Sequence, residues 1–284
     1  MSSPRRASPA ANRIADANLI AVDVGNNRTK FGLFSTDCLR SVAARELPEP
    51  VSSFHLCGAE ADLETLRDWL PAGLDRAAAW WIGSVNRPAA TRLIGWLRDN
   101  RPEDSIALLA AGDLPLEVAI PRPDMVGIDR LLDALAANRL RGPGRPAVVV
   151  DVGTAITVDL VSPEGTFLGG SILPGIAMSA HAMHELTDML PFLDLSELAS
   201  PPPAVGTSTV AAMQSGLFWG AVGAIRQLIG ELTKDLPGRP DVFLTGGAGP
   251  AVAKLLGRSA RHVPHLTLSG IALAASPTLD PHAS

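Results

Sequence analysis

Apolar residues fall along the chain in short runs closed by glycine and polar turns: LIAVDV from residue 19, KFGLF from 30, AAAWWIGSV from 77, AVVVDV from 147, ITVDLV from 156 and VFLTGG from 242. Runs of this length between turn residues predict strands. Between them, ETLRDWL, AATRLIGWLRDN and DRLLDALAANRL place apolar side chains three and four apart, the spacing that gives a helix one apolar face. Strands that alternate with helices predict an α/β chain. In AVDVGNNRTKFGLF and VVVDVGTAITVDLV, however, two strands follow each other across a tight glycine turn, and so close a return requires antiparallel pairing. A hairpin with a polar tip thus opens each half of the chain.

The proline and glycine cluster RGPGRPAV at 141–148 stands just ahead of the second hairpin and is the linker candidate. It predicts a first domain over 18–142 and a second over 143–276, with a disordered tail over 1–17 and a short tail over 277–284. In the second half the loop LASPPPAVGTST precedes a long helical run, TVAAMQSGLFWGAVGAIRQLIGELTKDL, in which Gly216, Gly220 and Gly223 recur on one face. That face suits either a buried helix of the second half or a subunit interface.

Composition narrows the picture. The 284 residues are 46% hydrophobic, enough for two modest cores, and 19% charged with a net charge of −5. No bulk positive field therefore argues for nucleic acid or an anionic membrane as partner. Lys30, Lys234 and Lys254 are the only lysines, so any phosphate must be held by local features. No run reaches the roughly 20 apolar residues of a membrane helix, and MSSPRRASPAANR leads into no long apolar stretch, which argues against a secretory signal. Cys38 and Cys57 lack metal-ligand spacing and fit idle thiols in a reducing cytoplasm.

The hairpin tips carry the first chemistry. In D-V-G-N-N and D-V-G-T-A, glycine lets backbone N–H groups approach an anion closely, and Asn, Thr and Lys add donors. An aspartate at the strand end suits a cation that bridges to phosphate oxygens. Two such tips suggest a pair of loops facing one polyphosphate across a cleft between the halves. VFLTGGAGPAVAKLL adds a strand, a Gly246-Gly247 turn and a helix, which gives room for a ribose or a flat ring. Neither G-x-G-x-x-G after the first strand nor G-x-x-x-x-G-K-[ST] occurs, which disfavours a dinucleotide dehydrogenase and a Walker-type NTPase. His181 and His184, like His262 and His265, are three apart rather than four and lack the accompanying glutamate, so they are read as ordinary core or surface histidines. Trp80 and Trp81 are read as core, and Arg92, Arg98 and Arg101 as a solvated basic face.

Duplicated hairpins with a Gly-Gly element resemble the superfamily of acetate kinase, sugar kinases, heat-shock ATPases and actin. Within it, MVGIDRLLDAL, DVGTAITVD, GGSILPGIAM and STVAAMQSGLFWG are similar, in order, to elements of the type III pantothenate kinases. The resemblance runs from Asn18 to about Ala275 and implies two actin-like (ribonuclease H-like) domains, each with a mixed sheet opening in a phosphate-binding hairpin. It implies phosphorylation of pantothenate by ATP, the first step toward coenzyme A, in a homodimer. Asp23, Val24, Gly25, Asn26, Asn27, Arg28, Thr29 and Lys30, with Thr154, then bind ATP, Asp23 lying near Mg2+. Asp151 holds a monovalent cation, K+ or NH4+. Gly127, Ile128, Asp129 and Arg130 hold pantothenate, with Asp129 accepting the proton of its hydroxyl. Thr209 reaches pantothenate from the partner subunit, with Thr207 a nearby competitor.

From the residues alone Asp129 reads equally as an N-cap of the helix that follows it. Arg130 in the first turn is unfavourable to the helix dipole unless an anion binds there. Two positions depart from the family's pattern: Asn27 stands where Thr or Ser is usual, and Ile120 where a tyrosine near the substrate is common. They keep open a non-catalytic regulatory protein of the same fold, like the Bvg accessory factor, and a kinase for another small hydroxy acid.

Overall fold

In the computed structural model, which describes residues 18–58, 61–70, 77–193, 200–257 and 260–276, the two predicted hairpins form the centres of two sheets. The two predicted tails lie outside the described residues, as do the first two residues of the LASPPPAVGTST loop.

In the first unit β1 (Leu19–Val24) is buried along its whole length, as its unbroken apolar run requires. It pairs antiparallel with β2 (Arg28–Phe34), opposing Asp23 to Lys30. A short helix α1 (Thr36–Ser41), capped by Ser35 Oγ, leads to β3 (Ser52–Cys57), which adds to the outer side of β2. After α2 (Thr65–Trp69) the chain crosses to β4 (Ala79–Ser84), parallel to β1. Then α3 (Arg87–Asn100), capped by Asn86, leads to the edge strand β5 (Ser105–Leu108) and on to α4 (Ile128–Leu140). The sheet order is β3-β2-β1-β4-β5.

The second unit repeats this plan. Strands β6 (Ala147–Val152), β7 (Ala155–Val161) and β8 (Phe167–Pro174) form an antiparallel meander. Helices α5 (Ile176–Glu185) and α6 (Thr209–Thr233) precede β9 (Asp241–Thr245), which lies parallel to β6; α7 (Gly249–Leu256) follows, and then the short β10 (Ala260–His262). The order β10-β9-β6-β7-β8 is that of the first sheet, element for element. The α/β class with two mixed five-stranded sheets is therefore as expected, and the echo in the sequence is a duplication of topology.

Domain membership departs from the simple division at 142. The first unit closes at Leu140 but also takes the final helix, α8 (Leu266–Ala275), while Glu117–Ile120 belong to the second unit. The reasons are local. Ala119 N donates to Phe167 O at 2.9 Å and Phe167 N to Glu117 O at 2.8 Å, so residues 117–120 extend the second sheet at β8. Helix α8 packs on α4, β1 and β2, and Ser269 Oγ donates to Pro48 O at 2.8 Å in the interior.

Each unit has its own core. Phe31, Trp80, Leu93 and Leu97 fill the first, and Val148, Val150, Phe218, Ile225 and Leu244 the second. Trp80 is fully buried and satisfies its indole by donating to Asp104 Oδ2 at 2.7 Å, whereas Trp81 is only half-buried. Arg101 is not part of a solvated face as expected, because the same Asp104 carboxylate holds it at 2.7 Å. The tightest helix contact is at Gly270, where a Cβ would stand 2.2 Å from the Leu132 carbonyl oxygen. Gly270→Ala should force α8 off α4 and cost about 1–3 kcal/mol, as overpacking does, read as a lowered midpoint in denaturant unfolding. Among the described residues no helix is long and apolar enough to cross a membrane.

Candidate functional site

The tip of the first hairpin is a tight turn in which Gly25 N donates to Arg28 O at 2.9 Å. Asn26, Asn27 and Arg28 are exposed, and Val24 is buried beneath them. The Asn27 carbonyl accepts from Gly58 N at 2.9 Å, tying the tip to the end of β3. Asp23 and Lys30 face each other across the ladder and form an ion pair, Nζ to Oδ2 at 3.1 Å, with Asp23 nearly buried. A carboxylate taken out of water requires such a partner, and the lysine amine is thereby held beside the loop.

The start of α4 lies in the same unit. Gly127 O accepts from Arg130 N at 3.1 Å and from Leu131 N at 3.4 Å, so Gly127 occupies the cap position. Asp129 is the second residue of the helix, and the expectation of an aspartate N-cap is corrected. Its Oδ1 accepts from Arg130 N at 2.8 Å and lies 2.5 Å from where a Cβ at Gly127 would be. Glycine at 127 is thus what lets the carboxylate fold back over the helix start. Ile128 is buried, while Gly127, Asp129 and Arg130 are half-buried.

His265, the residue ahead of α8, has a left-handed backbone (φ 57°). Partial burial lowers the pKa of its imidazole, Lys30 lowers it further, and Glu49 opposes both. The neutral form is favoured in the folded chain, so on acidification the unfolded chain binds this proton first. That contribution to stability is complete above the ordinary histidine pKa of about 6.5 and is lost as pH falls through the lower folded-state value. His265→Gln should reduce the acid sensitivity of thermal unfolding between pH 7 and 5.

In the second unit, Asp151 ends β6 opposite Thr157 on one side and Thr245 on the other. Its Oδ1 is wholly buried. Gly246, at φ +86°, makes room for it: a Cβ there would lie 2.2 Å from that oxygen. The Gly246-Gly247 turn is fastened to β6 by Ala248 N donating to Val152 O at 3.3 Å. Thr154 stands half-buried at the hairpin tip, where its carbonyl accepts from Gly175 N at 3.0 Å. The PG turn of GGSILPGIAM is therefore a support for the second loop, a role the sequence alone did not suggest. Ile120 Cδ1 sits near Gly169, at 3.5 Å from the position of an added Cβ.

Thr209 opens α6 and is exposed, as is Thr207; Ser208 between them is the cap, accepting from Ala211 N at 3.2 Å. His184 Nδ1 lies 2.9 Å from Leu190 O, and among the described residues no group of three or more His, Cys, Asp or Glu could hold a metal ion. Asp151 alone would give a weakly charged site, one that suits a monovalent cation better than a divalent one.

Residues 19–231 match the family model described as Type III pantothenate kinase. Curated relatives of that name include one from Akkermansia muciniphila, 34% identical over 256 residues that span 90% of this chain and 97% of the relative. Another, from Parafrankia sp., is 33% identical over 93% of this chain and 99% of its own. Among solved structures, a putative 2-dehydro-3-deoxygalactonokinase from Sinorhizobium meliloti superposes with a TM-score of 0.53 at 16% identity, covering 93% of this chain and 99% of that one. That likeness is one of fold alone.

Proposed function

This chain belongs to the type III pantothenate kinase family, and we propose that it transfers the γ-phosphoryl group of ATP to the primary hydroxyl of pantothenate, giving 4′-phosphopantothenate and ADP. The observation that carries the reading is the start of α4, where Gly127 leaves space for a carboxylate folded over the helix terminus and Arg130 follows it. The hydroxyl of the acceptor donates to Asp129, which orients it and takes its proton as the oxygen bonds to the γ-phosphorus and the bond to the β-phosphate oxygen breaks. A helix-terminal carboxylate is a weak base, and a loose transition state asks mainly for orientation and charge stabilisation. Arg130 binds the pantothenate carboxylate, which removes the dipole conflict of a cation in the first turn. Gly127 and Ile128 complete that wall.

ATP is held by the first loop, Asp23 to Lys30, through backbone N–H groups, the Asn26, Asn27 and Thr29 side chains and the amine of Lys30, with Thr154 on the second loop. Mg2+ near Asp23, and K+ or NH4+ at Asp151, neutralise polyphosphate charge that a chain with few lysines leaves uncompensated. Two free cysteines and use of ATP fit a cytoplasmic setting.

The protein acts as a homodimer, in which Thr209 of the partner subunit contacts the acceptor. As the first residue of α6, Thr209 is fixed by the helix, whereas Thr207 stands outside it. Support comes from exposed apolar side chains: Leu186 and Met189 just after α5 are each 83% exposed and Phe192 67%, and Met178 on α5, Val205 ahead of α6 and Val210 at its start are exposed as well. On α6, Gly216, Gly220 and Gly223 are exposed, and a Cβ at each would meet nothing within 4 Å among the described residues. Large apolar side chains exposed to this degree favour burial against a partner. Light scattering should give a mass of two chains, and Gly220→Arg a mass of one.

The decisive assay is ADP release by purified protein with ATP, Mg2+ and K+ against a panel of small hydroxy acids. Pantothenate should turn over fastest, with mass spectrometry showing the phosphorylated product. Turnover of another acid without pantothenate activity would replace the substrate, and no turnover on any of them would sink the kinase reading.

A further inference from the structure

The carboxyl end of β4 packs against the start of α4. At Gly83 the fit is so close that a Cβ would stand 2.7 Å from Leu132 Cδ1 and 3.7 Å from Ile128 Cγ2. The pairing with β1 continues one residue beyond β4, because Val85 N donates to Val24 O at 3.0 Å. Val85 is thereby carried to Gly127: the position a Cβ would take there is 3.6 Å from Val85 Cγ1 and 2.5 Å from Asp129 Oδ1. The Val85 methyl and the Asp129 carboxylate thus both lie against Gly127. Val85, Gly127 and Asp129 are all half-buried. In open α/β sheets ligands collect at the carboxyl ends of the parallel strands, here Val24 and Ser84.

We propose that Val85 is a specificity-determining residue of the acceptor site, packing against the branched carbon next to the reacting hydroxyl. The inference rests on the pantothenate reading above and adds a residue and a basis for selectivity. In pantothenate the carbon bearing the primary hydroxyl is bonded to a quaternary carbon that carries two methyl groups. An acceptor whose hydroxyl reaches Asp129 brings those methyls toward Val85 Cγ1, which lies beside the same glycine. A straight-chain hydroxy acid reaches the same carboxylate but leaves the valine methyl against water. Valine at this point therefore favours acceptors branched beside the hydroxyl.

The test compares kcat and KM for pantothenate and for its analogue lacking the two methyl groups, in wild type, Val85→Ala and Val85→Thr. Wild type should prefer pantothenate in kcat/KM by about tenfold or more, the low end of what methyl groups confer in an apolar pocket. Val85→Ala should lose most of that preference, chiefly through a higher KM for pantothenate, with the KM for ATP unchanged. Val85→Thr keeps the shape but exchanges a methyl for a hydroxyl, and should fall between the two. An unchanged preference in a folded Val85→Ala protein overturns the proposal; if that variant does not fold, an unchanged preference in Val85→Thr does so. Failure of the wild type to phosphorylate pantothenate would instead overturn the substrate assignment, a result separable from turnover with unaltered selectivity.

Discussion

Asp129→Ala should lower pantothenate turnover by about 10²- to 10⁴-fold, the range that a positioned proton acceptor contributes, with little change in thermal stability. The two effects separate because of where the residue sits. Its side chain hydrogen bond goes to the N–H of the next residue, and its carboxylate is half-buried at the surface end of α4. Removing a first-turn acid costs a helix about 0.3–1 kcal/mol, too little to unfold a domain whose core lies elsewhere. Asp129→Asn sharpens the result. The amide oxygen can still accept from Arg130 N and orient a hydroxyl, but it cannot take a proton. Activity for Asn between wild type and Ala would apportion the effect between orientation and proton transfer. An alanine variant that retains more than a tenth of wild-type kcat would show that Asp129 is not the base.

Gly246→Val should abolish the cation response and destabilise the second unit together. Any side chain at 246 must adopt a left-handed backbone at φ +86°, and its Cβ would occupy the position of Asp151 Oδ1, 2.2 Å away. Strain of this sort costs on the order of 1–3 kcal/mol, and the carboxylate must move as well. Asp151→Asn provides the contrast, because it removes the charge and leaves the packing. For that variant, initial rates should lose their dependence on K+ or NH4+ while the melting temperature stays close to wild type. A rate that still rises with K+ in Asp151→Asn would move the cation site away from this strand end.

The hairpins were legible in the sequence because their strands are buried at the sheet centre and read as unbroken apolar runs: LIAVDV is wholly buried, and AVVVDV is buried except at its aspartate. Other elements left weaker traces. Strand β3, SSFHLC, is an edge with only Leu56 buried, and β10 has three residues. Helix α8, LTLSGIALAA, is buried on nearly every side, so it shows no periodic face to mark it as helix or to say which half it joins. At the site, the two strand-end aspartates announce themselves by repetition, but the acceptor side does so only through likeness to a family. Val85 carries no chemical signature at all. A valine after a strand becomes informative only when the hydrogen bond to Val24 and the contact with Gly127 beside Asp129 are known.

The return of α8 to the first unit has a consequence for biosynthesis. A ribosome releases the amino-terminal hairpin early, yet the helix that covers β1 and β2 is made after the whole of the second unit. Domains generally fold as units in order of synthesis, and here that order is inverted: the second unit has all its parts first. Until α8 emerges, the apolar surface of α4 around Leu132 waits uncovered.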